Sequence, residues 1–136
     1  MINVFSRDAM INRIITQGVS SDEYYISILP TGGPNSMPIF DNNSPNVITL
    51  VFDDVVNDCI KTQHPHNTNL RYARAMTVHQ ADELCKFIKQ IPSGSIINIH
   101  CVWGEKRSLA VAAAINNSYE QGNKLVYKLV KERLHT

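Results

Sequence analysis

The run Ile96-Ile97-Asn98-Ile99-His100-Cys101-Val102-Trp103-Gly104-Glu105-Lys106-Arg107-Ser108 has three parts. Its apolar opening reads as a short buried strand. The strand ends at a cysteine. Five residues, Gly104 among them, carry the chain to Arg107 and Ser108, and the alanine-rich residues 109–115 read as a helix. A thiol therefore stands at the tip of a strand, on a loop that enters a helix N-terminus. Such a terminus offers orphan backbone N–H groups and the positive end of the helix dipole, so an anion is favoured there. An arginine six positions after the cysteine can fold back over the same spot. Its planar fork suits a pair of phosphate oxygens.

Around this run the chain reads as one domain over residues 1–136, long enough to bury a single core without staples. With 43% hydrophobic and 18% charged residues the composition is that of an ordinary globular protein. A net charge of +1 supplies no bulk basic field for nucleic acid or a membrane surface. No apolar run approaches membrane-spanning length. The first residues lack the charged and apolar blocks of a signal peptide, and cysteines at 59, 85 and 101 leave an odd thiol. Together these point to a reducing, cytoplasmic setting.

Along the chain, residues 2–5 read as a first strand, and Asp8 as the cap of a short helix over residues 9–15 that Gly18 ends. Residues 24–28 form a strand by β-propensity, and the Pro- and Gly-rich residues 30–45 a loop. Residues 46–52 are a further strand, ending in Asp53-Asp54. The polar stretch 55–74 reads mostly as loop. Thr77 caps a helix running to Gln90, with Ala81, Leu84, Cys85, Ile88 and Ile91 on one apolar face. Pro92-Ser93-Gly94 then turns the chain into the strand before Cys101. The last helix spans residues 124–134, with Leu125, Val126, Leu129 and Val130 as its apolar stripe and Lys124, Lys128, Lys131 and Arg133 on its solvated face. Alternating strands and helices define an α/β layered domain with a mostly parallel sheet. Ligands bind at the carboxyl ends of such strands, where both Cys101 and Asp53-Asp54 fall. If strand geometry continues through the two aspartates, alternation sends only one of them toward the pocket.

His100-Cys101, Gly104 and Arg107-Ser108 resemble the His-Cys-x-x-Gly-x-x-Arg-Ser/Thr loop of the cysteine-dependent phosphatases at every fixed position. More narrowly the chain is similar to the dual-specificity branch of the protein tyrosine phosphatase superfamily, in its compact bacterial and phage form. Phe52-Asp53-Asp54, Thr77 and Ala81-Asp82 belong to that likeness, which covers residue 46 to the end and is loose before it. The resemblance implies a four- or five-stranded sheet flanked by helices. It implies a phosphomonoester hydrolase in which Cys101 attacks phosphorus and Arg107 holds the phosphoryl oxygens with the N–H groups of Val102, Trp103, Gly104, Glu105 and Lys106. Ser108 would assist departure of the thiolate. The general acid falls by family position on Asp54, with Asp53 adjacent and Asp58 further along. His100 is expected to support the loop by hydrogen bonding. No metal or cofactor is implied.

Three features depart from the pattern. Trp103 stands where relatives carry a small residue, Glu105 puts a negative charge on an anion loop that Lys106 partly offsets, and Asp54 precedes Cys101 by 47 positions, a long gap for this branch. They motivate a second reading, a phosphate-binding pseudophosphatase. A third, a sulfur-transfer or arsenate-reducing enzyme, is disfavoured because the loop lies late in the chain. Cys85 reads as core and Cys59 has no evident role. His64-Pro65-His66 reads as a solvated loop rather than a metal site. The expected partner is a phosphorylated substrate, with phosphate or vanadate able to occupy the loop; its identity is open.

Overall fold

A computed structural model describes residues 1–41, 43–62 and 70–135. Four parallel strands form the central sheet in the order β1-β6-β2-β3: β1 Ile2–Phe5, β6 Ile97–His100, β2 Tyr24–Leu29 and β3 Val47–Val51. The expected α/β class and mostly parallel sheet are thus present. All four residues of β6 are buried, because the strand is paired on both edges, by β1 and by β2. Since the strands are parallel, the carboxyl ends of β6 and β3 open on the same edge of the sheet.

Side chains alternate along β2 as strand geometry requires. Tyr25 joins Met10 and Phe40 in a small cluster, whereas Ile26 and Ile28 enter the main core. The small cluster is covered by α1, Arg7–Gln17, and by part of the 30–45 excursion, which contains a short 3-10 turn at Pro34–Ser36. The main core lies under α2 Val78–Lys89, α3 Arg107–Asn116 and α4 Lys124–Leu134. Leu84, Val126 and Val130 are fully buried there, and burying each such side chain stabilises the fold by about 1.5–3 kcal/mol.

Helix α2 starts where expected. The Thr77 hydroxyl accepts from the Gln80 N–H, and the Gln80 side chain accepts from the Thr77 N–H. This reciprocal pair satisfies two orphan donors. Gln80 also donates to the carbonyl of Val51 at 2.7 Å, fastening α2 to the end of β3.

Several expectations need correction. Helix α1 is capped by Ser6, whose hydroxyl accepts from the Ala9 N–H, so it begins two residues before the expected 9; Asp8 sits in its first turn. Helix α3 opens at Arg107, not at residue 109. The 55–74 stretch holds an antiparallel hairpin, β4 Cys59–Thr62 with β5 Leu70–Ala73. Its connection, with His64, Pro65 and His66, lies outside the described residues. Arg133 is not simply solvated: it pairs with Asp82 of α2 at 2.5 Å. Among the described residues no helix is long and apolar enough to cross a membrane.

Candidate active site

Cys101 follows the last residue of β6 and is 2% exposed. The chain then loops through residues 102–106 and enters α3. Two contacts fix this loop against the β1–α1 junction. The Arg7 N–H donates to the carbonyl of Val102 at 2.9 Å. Gly104 has φ +76°, and a Cβ there would stand 2.8 Å from the Phe5 carbonyl carbon and 2.9 Å from the Ser6 nitrogen. Only glycine combines that dihedral with that approach. No side chain caps the first turn of α3.

Four groups bear on the Cys101 thiol. The Ser108 hydroxyl lies 3.1 Å from Sγ, and the Gly104 N–H donates to it at 3.2 Å. Burial pushes the thiol up. The hydrogen bonds from the Ser108 side chain and backbone, the Arg107 charge and the Gly104 N–H pull it down, and the balance lies below the ordinary thiol value.

Arg107 is 6% exposed. Its Nη1 donates to the carbonyl of Phe52 at 2.8 Å, which fastens the loop to the segment after β3. Its Nε is buried and has no hydrogen-bond partner among the described residues. A buried cationic donor without an acceptor is costly.

His100 is buried and neutral. Its Nδ1 lies 3.0 Å from the Cys101 carbonyl, which can only accept, so Nδ1 carries the proton. Nε2, 2.6 Å from the Ser27 hydroxyl, then accepts. Burial lowers its pKa to about 4. As expected, it hydrogen-bonds the loop.

The two aspartates part company. Strand β3 ends at Val51, so strand alternation does not reach them, and both line the cleft above Cys101. Asp53 is 2% exposed and its carboxylate is saturated. It accepts from the Thr31 hydroxyl at 2.6 Å, the Thr31 N–H at 3.2 Å and the Arg74 N–H at 2.8 Å, and it pairs with Arg71. Burial raises its pKa, but the Thr31, Arg74 and Arg71 hydrogen bonds outweigh it and hold the carboxyl below its usual range. Asp54 is exposed, and its Oδ1 accepts from Asn123 Nδ2 at 2.9 Å. Asp58 accepts from the Ala75 N–H and is not part of the cleft lining.

The cleft has a volume of about 450 Å³. The loop residues Val102, Trp103, Glu105 and Lys106 form one side, the segment from Pro30 to Asn35 another, and Arg71 of β5 closes a third. Trp103 is 76% exposed, so it stands at the rim rather than plugging the floor. Glu105 and Lys106 are exposed beside it. Arg7 steadies the far wall by donating to the carbonyls of Asn35 and Met37 at 2.9 and 2.8 Å.

Among the contributors not singled out in the sequence are Ser27, Thr31, Arg71 and Asn123. Asn123 carried a visible signal, an asparagine between Gly122 and a helix, which is the pattern of an N-cap. The other three act through partners distant in sequence and carried none. Cys85, as expected, is core. Among the described residues no group of three or more His, Cys, Asp or Glu side chains is placed to hold a metal ion. No family model, no curated protein and no solved structure matches the chain.

Proposed function

We propose that the chain is a phosphomonoester hydrolase of the dual-specificity phosphatase type, acting through a phospho-cysteine intermediate. The observation that carries this reading is one constellation: a buried thiol drawn toward thiolate, an uncapped helix N-terminus, and the unpartnered Nε of Arg107. In the first step the Cys101 sulfur attacks phosphorus and the P–O bond to the leaving group breaks. Arg107 and the loop N–H groups hold the equatorial oxygens. Asp54 gives its proton to the leaving oxygen, a role for which the ionised, saturated Asp53 is unsuited. In the second step water attacks the phospho-cysteine and gives a proton to the Asp54 carboxylate. The departing thiolate takes a hydrogen bond from Ser108, and inorganic phosphate leaves.

The alternative is a phosphate-binding module without turnover, motivated by the departures from the family pattern at Trp103 and Glu105, both of which line the cleft. Turnover of an activated aryl phosphate and an alkyl phosphate, each with and without vanadate, separates the two. The hydrolase reading expects turnover that vanadate blocks. It also expects Asp54→Asn to lower kcat on the alkyl ester by a factor on the order of 10²–10⁴, the usual worth of a positioned acid. The aryl ester, whose leaving group needs little protonation, should lose far less. An unaltered chain that binds phosphate but turns over neither ester would establish the module instead.

A further inference from the structure

Asn123 is 5% exposed, and every polar atom of its side chain is used. Its Oδ1 accepts from the Val126 N–H at 3.1 Å and caps α4. Its Nδ2 donates to Asp54 Oδ1 at 2.9 Å and to the Val55 carbonyl at 3.2 Å. The orientation of the amide is unambiguous, because both partners of Nδ2 accept and the partner of Oδ1 donates. Its backbone N–H donates to the carbonyl of Lys106, the last loop residue before α3. The residue before it seals this junction. Gly122 has φ +120°, and a Cβ there would meet the Lys106 carbonyl oxygen at 2.8 Å and the Ala110 nitrogen at 3.0 Å. One residue at the head of α4 therefore grips both the anion loop and the segment carrying Asp54.

We propose that Asn123 is a positioning residue for Asp54, a role that rests on reading Asp54 as the proton donor. Two consequences follow from the donor geometry. The Asn123 amide needs an acceptor at Oδ1, so the proton Asp54 delivers resides on Oδ2, the oxygen that Asn123 leaves free. Because the same residue is hydrogen-bonded to Lys106, the carboxyl is fixed relative to the loop that holds the phosphoryl group. A misplacement of about 1 Å at such a centre can cost up to about 100-fold in rate.

The test must separate this role from helix capping. Asn123→Asp and Asn123→Ser both keep an oxygen that caps α4. The first loses the amide donor and the second loses its reach. Both should slow an alkyl phosphate by between about 10- and 100-fold while leaving an activated aryl phosphate within about twofold. Asn123→Asp added to Asp54→Asn should cost nothing further on the alkyl ester, since the two act as a unit. Equal losses on both esters, or no loss on either, would overturn the proposal. Turnover of neither ester by the unaltered chain would instead overturn the phosphatase reading, and the proposal with it. Independently of turnover, Asp54→Ala should move the side-chain amide resonances of Asn123 and speed their hydrogen exchange; unchanged resonances would remove the contact itself.

Discussion

Two cysteines are buried in this molecule to nearly the same degree, Cys101 at 2% and Cys85 at 3% exposure. Their surroundings differ in what they offer sulfur. Cys85 lies on α2 within the main core, and its thiol donates to the carbonyl of Val130 at 3.5 Å. An acceptor favours the protonated form, and burial pushes this thiol above its ordinary value. Cys101 suffers the same burial but meets Ser108, Arg107 and Gly104, all able to donate or carry positive charge, and its thiol falls below the ordinary value. Burial alone makes a cysteine a small apolar residue. Converging donors draw it toward the thiolate, the form a nucleophile needs.

That contrast can be broken from either side, and the largest effect lies at the loop. Cys101→Ser should abolish turnover while keeping phosphate affinity, because the donors are arranged for a thiolate that serine does not supply. Hydrolysis by this variant at the unaltered rate would end the nucleophile assignment. Next, Arg107→Lys keeps the charge but loses the planar fork, one arm of which donates to the Phe52 carbonyl. The loss expected in kcat is about 10²–10³-fold, the worth of one oxyanion donor, with weaker vanadate binding. Equal vanadate affinity in the two proteins would remove Arg107 from the site.

A third test concerns the support behind the loop. His100 is held neutral, with its pKa lowered from 6.5 to about 4. Between those values the unfolded chain binds a proton that the folded chain refuses. Stability from this group is therefore full above pH 6.5 and is lost as pH falls toward 4, by about 3 kcal/mol. Asp53 acts lower: its depressed carboxyl contributes stability above its ordinary value of 3.8 that disappears only as pH falls through its folded value. Urea unfolding across this range should show both windows, and His100→Gln should flatten the upper one. An unchanged slope in that variant would assign the upper window to other groups. The smallest effect belongs to the other cysteine. Cys85→Ala should cost about 1 kcal/mol, the order of one buried heavy atom and its residual gap, and leave kcat unchanged. A fall in kcat would mean that the two thiols are coupled.

The same contrast explains what could be read from the chain. The loop motif was legible because it is local: His100, Cys101, Gly104, Arg107 and Ser108 lie within nine consecutive positions. The four central strands and helices α2 and α4 were legible from apolar pattern, with Thr77 as the cap of α2. The β4–β5 hairpin was not, because Cys59–Thr62 and Leu70–Ala73 are short and carry Lys61 and Arg71 within them. Strand alternation misled at Asp53-Asp54, since β3 stops before reaching them. What separates the two aspartates is supplied by Thr31, Arg71 and Arg74 on one side and Asn123 on the other. Asn123 lies 69 positions away from the residue it holds, and periodicity carries no trace of such a partnership. For the same reason Gly122 reads as an ordinary turn residue until Lys106 and Ala110 are seen against it.

The central claim is that phosphorus passes through the Cys101 sulfur. Acid quenching of the protein during turnover of an activated aryl phosphate, followed by peptide mass spectrometry, tests it directly. One phosphoryl group should appear on the peptide carrying Cys101 and be absent from Cys101→Ser. Turnover that persists in Cys101→Ser, or a phosphoryl group found on any other residue during turnover, would contradict it.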